Sequence, residues 1–521
     1  MKKLIYSLIA GVLLISSCKD QDLMNIDPNK PTQTHPQLLL TKIEWDTFRA
    51  YSGTSPLYAT RMLVQTDGES EGQYFKWGRG DFGPYSSLRN VTKMIEEATR
   101  INDNSYIALA KFFRAYYFYN LTLTFGDIPY NQALKGEDQA GYTPPVYDNQ
   151  KTVFQGILKE LDEANNMLKG LNVIIAGDII YKGDAAKWRI NMLKGLNVII
   201  AGDIIYKGDA AKWRRLVNSF RLKVLMTLSK KESDNDLKVK ETFAQIVQSE
   251  PILGNTEADG DGQLIFLDQE GNRYPEFNSS GFGSGMFMAS TFIEHLQNRK
   301  DPRLFLYCTQ TKIGKEAGKP INDFTSYEGG DPAAPYAETS IKAAAGKVSK
   351  VNDRFPSNPT NEPLVLMGYS EQEFIIAEGI VRNWITGDAN QHYKNGVKAS
   401  FKFYQTYVKG YEAYLTEEKA NEYLALPINN FALSTTTAQK MEQIITQKYL
   451  RTFFQSGWSA FYDNLRTGYP DFRRPAGVTI PYRWIYPQSE YDNNRENVSK
   501  AIETQFGAGN DKINQQVWWV K

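Results

Sequence analysis

The side chains that could do covalent or acid–base chemistry are few and scattered. His35, His295 and His392 are the only three histidines of the 521 residues, and they lie far apart in the chain. The two cysteines, Cys18 and Cys308, cannot form a disulfide framework. No HExxH, CxxC or GxSxG occurs. The 59 acidic residues include no pair in a motif that fixes the geometry glycoside hydrolysis demands. Asp259, Asp261 and Glu270 stand at positions 1, 3 and 12 of a calcium-loop spacing. Leu264 occupies the position that needs glycine, however, and Gln263 another ligand position, so the match is poor. The reading is therefore of a protein that binds without turning its ligand over, with no cofactor and no metal.

One cysteine does stand in a chemical context. Lys2 and Lys3 precede an apolar run, Leu4–Ile15, of 12 residues. That is too short to span a bilayer and suits a signal peptide. It ends in Leu14-Ile15-Ser16-Ser17-Cys18, small residues directly before a cysteine, as in a bacterial lipobox. The expectation is a leader over 1–17, lipidation of Cys18, and a polar, proline-bearing tether over 18–36. Lys19-Asp20-Gln21-Asp22 resembles a surface-export signal. Losing Lys2 and Lys3 with the leader leaves a net charge of −1, which argues against a nucleic-acid partner held through phosphates.

Non-covalent chemistry points to aromatic loops. Residues 66–85 carry Tyr74, Phe75, Trp77, Phe82 and Tyr85 among five glycines and a proline, so helix periodicity does not explain those rings. Asn278–Gly285 is a second glycine- and serine-rich loop. Tyr74 and Trp77 are the expected stacking faces for a ligand, with Arg79 and Asn278 as hydrogen-bond donors.

The elements that must position these loops read as helices. Ala108–Phe125 has apolar residues on two faces, as a helix packed between neighbours does. Gly126 ends it and Pro129 prevents its resumption. Further helices are expected over 37–51, 88–100, 149–168 with Asp148 as N-cap, 215–229, 290–300 and 441–454. Ser370 with Glu373, and Asp388 with Gln391, read as capping boxes starting a helix pair of tetratricopeptide type. Residues 314–363 and 457–521 read as irregular, the latter dense in Trp, Tyr, Arg and Pro. The fold class is mostly all-α, with one domain over 37–521.

Residues 166–189 recur without a change at 191–214. Architectural repeats diverge, so this is a surplus copy and not a structural module. One copy is expected to fill the native path.

Jointly these stretches resemble the SusD/RagB family of Bacteroidetes nutrient-binding outer-membrane lipoproteins. The carriers are the lipobox at Cys18, Phe113-Arg114-Ala115-Tyr116 with Phe125-Gly126-Asp127-Ile128-Pro129, and Tyr147-Asp148 with Leu158–Ala164. To these add Gly208-Asp209 with Lys212-Trp213, Asn218–Leu222, Asp301-Pro302-Arg303-Leu304 and Glu373-Phe374 with Ala377-Glu378. Gln447-Lys448-Tyr449, Trp458, Arg466–Pro470 and Ile480–Trp484 with Tyr486-Pro487 complete the set. The duplication departs from the family pattern. The resemblance implies a single α-helical domain with tetratricopeptide-like helix pairs plus long loops. It implies a SusC-like TonB-dependent transporter as partner, and an oligosaccharide, or in some relatives an oligopeptide, as ligand. A lipid-anchored, surface-exposed place on the outer membrane follows from it. The competing readings are a protein-interaction scaffold without a soluble ligand and a glycoside hydrolase.

Overall fold

The computed structural model describes residues 33–136, 143–171, 202–256, 260–282, 285–455 and 457–521. The leader, Cys18 and Asp259 lie outside the described residues, as does the middle of the duplication.

The principal helices are α1 (Pro36–Arg49), α2 (Gly83–Arg100), α3 (Asn104–Phe125), α4 (Gln150–Leu168), α5 (Ala210–Thr227), α6 (Val239–Ser249) and α7 (Ser290–Asn298). The second half supplies α8 (Tyr369–Val381), α9 (Ala389–Tyr407), α10 (Glu417–Ala425), α11 (Thr437–Leu450), α12 (Ser459–Thr467) and α13 (Arg495–Phe506). Among the described residues only two antiparallel strand pairs occur. β1 (Leu63–Gln65) pairs with β3 (Met286–Met288), with Leu63 opposite Met288, and β2 (Gly262–Leu264) pairs with β4 (Leu364–Met367). The protein is mostly α-helical.

α3 is central, as its two apolar faces require. Sixteen of its 22 residues are buried. It packs against α1, α2, α4 and α5, while α8 packs against α5, α9 and α11. Each large apolar side chain buried there contributes about 1.5–3 kcal/mol, so α3 anchors the first half of the core. Gly126 ends it at φ +95°, where a side chain would run into Gln505.

Local signals were overruled where tertiary partners compete. α8 starts after Gly368 with no side-chain cap. Ser370 Oγ instead donates to the Gly396 carbonyl at 2.7 Å, and Glu373 meets His392 and Asn395, so the expected box ties α8 to α9. Asp388 does cap α9, accepting from the Asn390 and Gln391 amides, but the Gln391 side chain turns to Asn395. A full capping box appears at Thr436 and Gln439 of α11. α4 is capped by Asn149, not Asp148, because Asp148 accepts from the amides of Tyr130 and Asn131. The stretches read as irregular also hold helices, α12 and α13 in the tail and Tyr336–Ala344 in the excursion. Their apolar stripes are short, three buried residues in α13, so packing sets them more than periodicity does.

A buried charge network joins the two halves. Arg466 grips Glu378 with two nitrogens and reaches Asp463 at 2.8 Å. Lys448 lies 2.6 Å from Asp463 and Lys223 3.1 Å from Glu371. These groups line or flank a small internal cavity with Tyr119 and Ser459. Its polar lining fits ordered water.

Candidate functional site

The carbonyls at the end of α3 organise the site. A helix C-terminus leaves four carbonyls without an intrahelical donor. Here the Trp484 amide donates to the Thr124 carbonyl at 2.9 Å, and Arg483 Nε donates to Phe125 at 3.1 Å. Gln150 Nε2 donates to Thr122 at 2.7 Å. Arg483 is fully buried and its charge is met by Asp511 at 2.6 Å. The tail segment 480–487 is thereby laid across the end of the central helix.

The aromatic loop docks on that segment. A single helical turn, Glu71–Tyr74, is capped by Ser70 and stopped by Phe75, which adopts φ +53° and turns the chain inward. The Gly80 amide donates to the Ile485 carbonyl at 2.9 Å. Gly80 is needed there, since a Cβ would lie 2.6 Å from the Phe125 ring.

Three tryptophans meet as a result. Trp77 and Trp484 stack with ring centres 3.9 Å apart and an 18° tilt. Trp458 stands edge-on to both, at 5.4 Å from Trp77 and 4.7 Å from Trp484. Trp77 is 7% exposed, and Phe75 and Phe461 close its other sides. Trp458 and Trp484 are only partly buried. The cluster is a surface platform; it borders neither the cavity lined by Tyr119 and Ser459 nor that lined by Tyr404 and Arg451.

The sequence-derived site residues fall differently than expected. Trp77 is the floor of the platform, because Trp484 covers its face. Tyr74 is 8% exposed and donates its hydroxyl to the Ala334 carbonyl at 2.8 Å, so its ring offers no open stacking face either. Arg79 lies at the platform's edge, where Nη1 donates to the Tyr486 carbonyl at 2.7 Å and the guanidinium sits 4.6 Å over the Tyr491 ring. Its side chain remains 41% exposed. Asn278 is exposed on a separate loop, in a left-handed conformation with its amide on the Pro356 carbonyl. The structure joins Trp77 and Arg79 through the 480–487 segment, while Tyr74 faces the 330s and Asn278 the 350s.

Sequence reasoning missed Trp458 and Trp484. The density of aromatic residues in the tail was the available signal, but nothing local said that 77, 458 and 484 meet. Of the calcium-loop positions, Asp259 lies outside the described residues, and the Asp261 carboxylate accepts from the Tyr369 amide at 2.6 Å. Among the described residues no group of three or more His, Cys, Asp or Glu could hold a metal. Cys308 is buried, and burial pushes its thiol well up.

Asp127 ties the platform's support to pH. Burial pushes its carboxyl up to about 7, against one stabilising bond from the Gln150 amide. The folded state therefore holds a proton that the unfolded chain releases near pH 4. Stability is fullest below that pH and declines as pH rises from about 4 to about 7. Asp127→Asn is expected to flatten this slope in urea unfolding curves recorded from pH 4 to 8; an unchanged slope would count against the assignment.

Comparison with known proteins decides the family. The family model for SusD-like proteins, described as starch-binding associating with outer membrane, matches residues 28–194 and 190–487, the two pieces meeting inside the duplication. The chain belongs to the SusD-like family. A SusD homologue of Bacteroides fragilis is 52% identical, covers 94% of this chain and 100% of its own, and superposes with a TM-score of 0.84. An outer-membrane protein of Bacteroides vulgatus associated with nutrient binding is 50% identical over 94% and 100%, with a TM-score of 0.85. A chitin-binding SusD homologue of Flavobacterium johnsoniae, 20% identical over 94% and 99% with a TM-score of 0.70, shows the fold alone. A search of the curated proteins gave no match. The family resemblance drawn from the scattered motifs of this SusD-like chain therefore holds.

Proposed function

We propose that this SusD-like protein is a lipid-anchored, surface-exposed capture protein that binds an oligosaccharide and delivers it to a SusC-like TonB-dependent transporter. The observation that carries the reading is the tryptophan platform. Sugar rings present flat apolar C–H faces, and the partly exposed rims of Trp458 and Trp484 match them. Arg79 at the edge supplies a donor to ring hydroxyls, and Trp77 holds Trp484 in place from beneath. Few polar groups and one aromatic anchor give capture that is readily reversed, as delivery requires. Acylation at Cys18 supplies the anchor, with the polar residues to 36 as tether.

Isothermal titration of the mature chain against maltodextrins, chitin oligosaccharides and a set of oligopeptides tests the ligand class. Binding of at least one oligosaccharide, with Trp458→Ala weakening it, supports the reading. Binding of peptides alone gives the oligopeptide variant. Transporter co-purification with no binding to any compound would favour the scaffold instead.

A further inference from the structure

We propose that the small cavity walled by α3, α5, α8, α11 and α12 is a buried site for one monovalent anion, of which chloride is the simplest. Three cations and one carboxylate line it: Lys223, Lys448, Arg466 and Asp463. Its volume, about 20 Å³, holds one water-sized species and excludes a phosphate or sulfate. Water fits that volume but brings no charge, and negative charge is what the surroundings lack.

The buried ion pairs do not balance. Lys223, Lys448, Arg451 and Arg466 have side chains 9%, 7%, 8% and 2% exposed. Against these four stand three carboxylates, Glu371 at 2%, Glu378 at 0% and Asp463 at 13%. Arg382 beside Glu378 and Lys230 near Arg466 add further positive charge at the rim. The carboxyls register the excess. Burial acts to raise all three, yet the surrounding ammonium and guanidinium groups hold Glu371 and Glu378 below their ordinary value and Asp463 down to about 2. A field that keeps three buried carboxylates ionised also favours a fourth anion.

Donors are in excess too. Lys223 Nζ donates to Ser459 Oγ at 2.9 Å and reaches Glu371 at 3.1 Å, while Lys448 Nζ lies 2.6 Å from Asp463. An ammonium has three N–H groups, so each lysine retains at least one for whatever fills the cavity. The Ser459 hydroxyl accepts from Lys223 and retains its own hydrogen. Two ammoniums and a hydroxyl around one small volume suit a halide, a spherical acceptor that takes donors from any direction.

Two measurements on the mature chain test the site. Crystals grown with bromide in place of chloride should show an anomalous bromide peak in the cavity, in contact with Lys223 and Lys448. Urea unfolding is then followed at fixed ionic strength, with chloride exchanged for gluconate, which is too large to enter. The folded-to-unfolded ratio should rise with chloride, approaching tenfold for each tenfold of chloride above the dissociation constant. Screening of surface ion pairs does not produce this rise, because ionic strength is constant. Ser459→Ala removes one donor and no charge, and should shift the rise to higher chloride. Lys448→Met, where it folds, should abolish it. A cavity holding water and no bromide, or equal stability in chloride and gluconate, overturns the proposal. A bromide peak without chloride-dependent stability is binding at crystal concentration only, and overturns it equally.

Discussion

Arg466→Met is expected to destabilise the protein by about 3–5 kcal/mol, the range for removing one partner of a buried ion pair. Arg466 and Glu378 are 2% and 0% exposed at their side chains. Arg466 holds the Glu378 carboxyl below its usual range, and Glu378 and Asp463 hold the Arg466 guanidinium above its own. Without it, Glu378 keeps only Arg382 at 2.8 Å, which is itself partly exposed. Glu378 would then take up a proton to avoid a buried charge, so the loss should grow as pH rises from 5 to 8. Arg466→Met with Glu378→Met should recover part of the stability, because an apolar pair of similar volume leaves no charge stranded. Urea unfolding of both variants at pH 5, 7 and 8 checks this. A loss under about 1 kcal/mol for the single variant would show that the buried Arg466–Glu378 pair does not hold α12 against α8.

Trp484→Ala is expected to weaken oligosaccharide binding by about 30-fold, the roughly 2 kcal/mol typical of a tryptophan hot spot. The change removes one partly exposed platform ring and uncovers the face of Trp77. The Trp484 backbone bond to Thr124 survives, so the tail stays anchored at the end of α3. Trp77→Ala should act differently. Trp77 is 7% exposed and wedged among four rings, so truncation opens a cavity costing about 3–5 kcal/mol of stability. Titration and thermal unfolding of the two variants side by side separate the roles. Binding by Trp484→Ala equal to that of the parent chain would remove the platform from the ligand's path.

How much of this was legible in the sequence follows from the range of each signal. The central helix was legible because Phe112, Tyr116 and Tyr119 on one face, with Phe113 and Tyr117 on another, specify burial all round. Gly126 and Pro129 marked its end. The start of α8 was misread because Ser370 and Glu373 had stronger partners on α9 than on their own backbone. The aromatic loop stood out by its rings and glycines, but the expectation of an open Trp77 face meets a buried ring, while Trp458 and Trp484 are the partly exposed members of the cluster. Ring exposure is decided by what arrives from the tail, and the tail is held by carbonyls of α3 that carry no side-chain signature. Asn278 and Tyr74 were chosen by residue type alone, and type does not say which loop a side chain joins.

The most direct test of the central claim is a crystal structure of the mature chain with the tightest-binding oligosaccharide from the titration panel. The account predicts a sugar ring lying against Trp458 or Trp484 at about 4 Å, with Arg79 within hydrogen-bonding reach. An oligosaccharide ordered elsewhere, on the Asn278 loop or in the groove of the α8–α9 pair, with the three tryptophans bare, would contradict it.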